Sequence, residues 1–81
     1  MQRKGRIAVT LKVLATIRIH PGTRLADLLD MTGYSRGGML GLLREARNVF
    51  DVSVHGGREG YVITRWGLLN EGAIIDWYEQ Q

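Results

Sequence analysis

Three arginines, Arg36, Arg44 and Arg47, stand among three glycines, Gly37, Gly38 and Gly41, in the stretch "SRGGMLGLLREAR". A guanidinium is a planar fork of N–H donors that matches the paired acceptors of a phosphate, a carboxylate or the edge of guanine. Met39, Leu42, Leu43 and Ala46 recur at helical spacing in the same stretch, so the arginines ride on a helix. Each glycine there weakens that helix by ~1 kcal/mol against alanine. Two explanations offer themselves: the glycines let a basic helix approach something closely, or they allow tight packing inside the protein.

Further cations stand at two other places. Arg58 lies in "HGGREG", and Arg3 and Lys4 lie in the opening "MQRKGR". Other chemistries have little to draw on. His20 and His55 are far apart, with no cysteine and no HxxxH spacing, so no metal site is expected. "HGGREG" lacks the Gly-Lys-Ser/Thr that cradles a triphosphate, and no GxSxG occurs. Asp27 and Asp30 read as solvating a short helix, so neither an enzyme nor a cofactor is expected.

Composition bounds what can carry these residues. A chain of 81 residues makes one domain with a thin core, spanning 1–81. Its hydrophobic residues are scattered, with no run near the ~18 needed to cross a membrane. The basic-then-apolar start resembles a signal peptide, but Lys12 interrupts it and no cleavage site follows. The absence of cysteine suits an intracellular, cytoplasmic address. Net charge is +3, unevenly placed: every Lys and Arg falls within residues 1–65, and Glu71, Asp76 and Glu79 occupy the tail beyond. A basic part opposite an acidic part suits a polyanion on one side, as does a mixed solvated surface with none.

The elements follow from periodicity and punctuation. Ile7, Leu11, Leu14 and Ile17 mark a first helix from Arg6 to Ile19, ended by "HPG". Residues 1–5 would precede it as a disordered basic arm, either touching phosphates or keeping the end soluble. Thr23 can cap a short second helix that Gly33 ends, and Ser35 can cap a third that runs to about Asn48. Alternation in "DVSV" and "YVIT" predicts a hairpin from about Val52 to Ile63 around the glycine-rich turn. Thr64 would cap a last helix with Trp66, Leu69, Ala73 and Trp77 on one face, although "NEG" at 70–72 could bend or restart it.

"TRLADLLDMTGYSRGGMLGLL" resembles the helix-turn-helix of IclR-type and MarR-type regulators: a turn glycine (Gly33), an apolar residue (Tyr34), Ser with Arg (Ser35, Arg36), then inward apolar residues (Met39, Leu42). "GYVITRWGLL" is similar to the strand that leaves the wing in those families. One departure is Leu29, where the pattern has a small residue, which would set the two helices slightly farther apart. The resemblance implies an α+β fold, a winged helix-turn-helix with a three-helix core, a β-hairpin wing and a C-terminal helix. It also implies sequence-specific binding of double-stranded DNA by a small transcriptional regulator or architectural factor. The alternative is a winged helix that binds proteins and not DNA.

On that arrangement, Ser35, Arg36, Gly37, Leu40, Gly41 and Arg44 form the outward face of the third helix, with Arg36 and Arg44 reading bases and Arg47 beside them. Arg58 would either enter the minor groove from the wing or remain a solvated turn charge paired with Glu59. Arg3 and Lys4 would add phosphate contacts. On the last helix, Leu68, Ile75 and Tyr78 are left over from the core and would join two copies, setting their reading helices roughly 34 Å apart.

Overall fold

The computed structural model describes residues 2–81; Met1 and the side chains of Gln2, Arg3 and Lys4 lie outside the described residues. Its elements are α1 (Gln2–Ile19), α2 (Leu25–Thr32), α3 (Arg36–Phe50), β1 (Ser53–Gly57), β2 (Gly60–Arg65) and α4 (Glu71–Glu79), a small α+β domain with one antiparallel hairpin. No described helix is long and apolar enough to cross a membrane.

α1 begins at Gln2, so residues 2–5, expected as a loose arm, continue the helix. It is the centre of the fold. Val13, Leu14, Ala15, Thr16 and Ile17 are all buried in succession, which a helix with a single apolar stripe cannot achieve. Val13 and Ile17 meet Leu28, Met39, Leu42 and Leu43 on one side, while Leu14 meets Ala46 and Val52 on the other. Ile7, first in the apolar rhythm, is 60% exposed, so the start of that stripe is left outside the core.

The caps explain where α2 and α3 begin and end. Thr23 does not cap α2: its hydroxyl donates to the His20 carbonyl at 2.7 Å, closing the Pro21–Gly22 turn. Arg24 is the N-cap instead, its amide donating to Asp27 Oδ2 at 2.9 Å. Ser35 caps α3 as expected, its Oγ accepting from the Gly38 amide at 3.0 Å. α3 continues past Asn48 to Phe50 and stops at Asp51, which adopts a left-handed conformation (φ 59°). There the Asp51 carboxylate pairs with Arg65 Nη2 at 2.7 Å.

The hairpin pairs Gly57 with Gly60 around Arg58 and Glu59, with an irregularity between Ser53 and Val54. Its tip is fastened to the α1–α2 turn. Tyr61 donates its amide to the Thr23 carbonyl at 2.8 Å. Gly60 (φ 101°) lies so close to Gly22 that an added Cβ would come 2.5 Å from its backbone, a contact no other residue tolerates.

Thr64 remains within β2 and caps nothing, which corrects the expected start of the last helix. Gly67 (φ 59°) presses against the carbonyls of Phe50 and Asp51, where a Cβ would overlap both. That contact forces a turn, and Asn70 opens α4 by accepting the Ala73 amide at 2.9 Å. The buried residue of α4 is Ile74, whereas Ala73 is exposed.

Candidate functional site

α3 buries Met39, Leu42, Leu43 and Ala46, and its opposite pole carries Gly37, Gly41, Arg44 and Asn48, spaced by four, three and four residues. Beyond Gly37 and Gly41 lies open space, since a Cβ at either would meet nothing within 4 Å. Gly38 differs: a Cβ there would lie 3.1 Å from Ser35 Oγ and 3.5 Å from the Tyr34 ring. Packing inside the protein therefore accounts for Gly38 and leaves Gly37 and Gly41 unexplained.

The arginines divide between this pole and the flank facing the hairpin. Arg44 is exposed on the pole. Arg36, expected beside it, instead lines a cleft of about 450 Å³ with Arg24, Leu25, Gly56, Gly57, Gly60 and Tyr61. At the other end of the same flank, Arg47 lies beside Ser53, Val54 and His55. Leu40 is half-buried between these arginines. Arg58 is exposed at the hairpin tip next to Glu59, so the tip carries both signs of charge. Arg3 and Lys4 lie outside the described side chains.

Ion pairing separates these residues from the other arginines with described side chains. Three ion pairs occur among the described residues: Arg6–Glu45 at 2.9 Å, Arg18–Glu71 at 2.5 Å and Arg65–Asp51 at 2.7 Å. The hydrogen bond from Arg6 to Glu45 holds the Arg6 guanidinium even further from deprotonation than usual. Arg24, Arg36, Arg44, Arg47 and Arg58 have no carboxylate partner among the described residues, and all five lie around α3 and the hairpin. Among the described side chains, Lys12, on α1 near Trp77, also has no carboxylate partner. Unpaired guanidiniums keep their full donor capacity for an external acceptor.

Two members of this surface escaped the sequence reading. Arg24 stands beside Arg36 only because the α1–α2 turn folds against the hairpin tip, a long-range contact. Asn48 is four residues beyond Arg44, and a helical projection carried past it to Phe50 would have found it.

The residues expected to join two copies do not form one stripe. Leu68 is 77% exposed, but it stands in the turn before α4 and not on the helix. Ile75 is half-buried, as is Tyr78, which lines a small groove against α1 with Ala8, Val9, Lys12 and Trp77. His20 and His55 are exposed, and no three His, Cys, Asp or Glu gather to hold a metal ion among the described residues. No described buried polar side chain lacks a hydrogen-bond partner, so the groups able to contact a ligand are at the surface.

Compared with known proteins, the chain matches no family model, no curated protein and no solved structure.

Proposed function

We propose that the chain is a winged helix-turn-helix protein that binds double-stranded DNA, with α3 entering the major groove and the β1–β2 hairpin acting as a short wing. The observation that carries this reading is the arrangement of Arg24, Arg36, Arg44, Arg47 and Arg58 without carboxylate partners around α3 and the hairpin, while the paired arginines are Arg6 and Arg18 on α1 and Arg65 at the end of β2. The order of helix, short helix, tight turn, helix and hairpin supports it, as does the bond from Tyr61 to Thr23 that ties the hairpin to the α1–α2 turn.

Roles on DNA follow from position. Gly37 and Gly41 present bare backbone, so the pole of α3 can lie close to the groove floor, with Arg44 and Asn48 reaching base edges. Arginine suits the O6 and N7 acceptors of guanine, and asparagine suits the N6 and N7 of adenine. Arg36 and Arg24, directed into the cleft below the hairpin, serve a backbone phosphate, with Arg47 and Arg58 farther along the same strand. Ser35 contributes chiefly by capping α3, whose first amides favour an anion. Occupying a site would then exclude or assist other DNA-bound proteins, as a small regulator or architectural factor does.

Selection of binding sites from random duplexes tests this. A consensus should emerge, and Arg44→Ala and Asn48→Ala should each relax it at one position. Recovery of no preferred sequence, with no measurable binding to any duplex, would overturn the proposal. The second reading, a winged helix that binds protein alone, draws on the exposed Ile7, Val49 and Leu68. It predicts indifference to DNA in the same experiment.

A further inference from the structure

Met39, Leu42, Leu43 and Ala46 form the inner face of α3, and Phe50 packs against the second core cluster. Leu40 does neither. It is half-buried, yet among the described residues it belongs to neither core cluster and is not among the partly buried residues packed against them. Nor does it line the cleft that holds Arg36 or the hollow beside Arg47. Helical spacing puts it one turn after Arg36 and one turn before Arg44, on the border between the pole of α3 and the flank facing the hairpin. Gly37, three residues before it, has no side chain, and open space lies beyond both Gly37 and Gly41. A leucine thus stands among guanidiniums that have no carboxylate partner, at a position where the core of this chain makes no use of it.

We propose that Leu40 reads a thymine through its C5-methyl group, an inference that rests on α3 entering the major groove. The surrounding arginines select a polyanion, and the apolar group that a base pair presents in the major groove is the methyl of thymine. Leu40 can meet it because its neighbours leave room: Gly37 and Gly41 add nothing between helix and groove floor, and Arg36 lies in the cleft below the hairpin. Arg44 follows Leu40 by four residues, about 6 Å along the helix axis. Base pairs are stacked ~3.4 Å apart, so the thymine lies within about two base pairs of the base that Arg44 reads. The recognised element is therefore composite, a hydrogen-bonded base edge under Arg44 and a methyl group under Leu40.

Replacing each thymine of the selected duplex in turn by uracil tests this, since the change removes one methyl group and keeps the base pair. Titration of the whole chain should show one replacement, within about two base pairs of the position that Arg44→Ala relaxes, that weakens binding about three- to fivefold, the size expected for one buried methyl. Leu40→Ala should bind the thymine and uracil duplexes equally while keeping the preference set by Arg44. If circular dichroism shows that Leu40→Ala does not fold, Leu40→Gln, which keeps the length of the side chain and removes its apolar end, takes its place. A selected site with no thymine in that interval, a parent indifferent to every replacement, or a Leu40 variant that still loses the same factor would each overturn the inference and leave the proposed function standing. A parent that binds no duplex at all would overturn both.

Discussion

Gly37 and Gly41 separate two effects that act in opposite directions. Because nothing lies within 4 Å of a Cβ at either position, alanine adds no clash and restores helix propensity. Gly37→Ala and Gly41→Ala should each raise the free energy of unfolding, measured in urea, by roughly 0.5–1 kcal/mol. On DNA the same methyl groups would stand between helix and groove, so titration should show weaker binding by the more stable proteins. Affinity that is unchanged or improved would remove the reason for a bare backbone. Arg44, Asn48 and Arg36 divide in a similar way. A bidentate base contact discriminates by ~1–3 kcal/mol, so Arg44→Ala and Asn48→Ala should change sequence preference. Arg36→Ala should weaken all duplexes alike, and a preference altered by Arg36→Ala alone would reverse the assignment. Sequence spacing put Arg44 on the pole of α3, but it could not show Arg36 turned to the hairpin, because that depends on Gly60 meeting Gly22 far along the chain.

The elements that were legible are those governed by local chemistry. Ser35 caps α3 with its own oxygen, and the alternation around "HGGREG" makes a hairpin, since both depend on neighbouring residues. Where a distant contact decides, local reading fails. Thr64 looks like a cap, but Gly67 must press on the end of α3 before the chain can turn, so α4 waits for Asn70. α1 likewise shows one apolar rhythm yet is buried around its middle, because the hairpin and α4 pack on it as well as α3. These contacts give two stability tests by thermal or urea unfolding. Ser35→Ala should lower stability by about 1 kcal/mol through loss of the cap. Gly67→Ala should lower it by more than about 1 kcal/mol, since its φ is positive and its Cβ would overlap carbonyl oxygens. A neutral Gly67→Ala would mean that the turn relaxes without this contact. At the hairpin tip, Arg58→Ala should flatten the dependence of log affinity on log salt by about 0.9, the share of a single neutralised phosphate. An unchanged slope would place the tip away from the backbone.

For the whole molecule, charge sets the surfaces apart. Its extents are 28 × 28 × 25 Å, so an arginine-lined α3 and hairpin occupy much of one side. Glu71, Asp76 and Glu79 follow the last arginine in the chain and reside on α4, with Glu71 engaged by Arg18. A field of this kind draws a polyanion to one face and orients it there. Its signature is release of counterions, which a contact based on apolar surface does not produce. The most direct measurement is therefore the affinity of the full chain for a selected duplex by fluorescence anisotropy across a series of salt concentrations. With Arg24, Arg36, Arg47 and Arg58 on phosphates, log affinity against log salt should fall with a slope near −3.6, about −0.9 for each contact. A flat line, or no binding even at the lowest salt, would contradict the account.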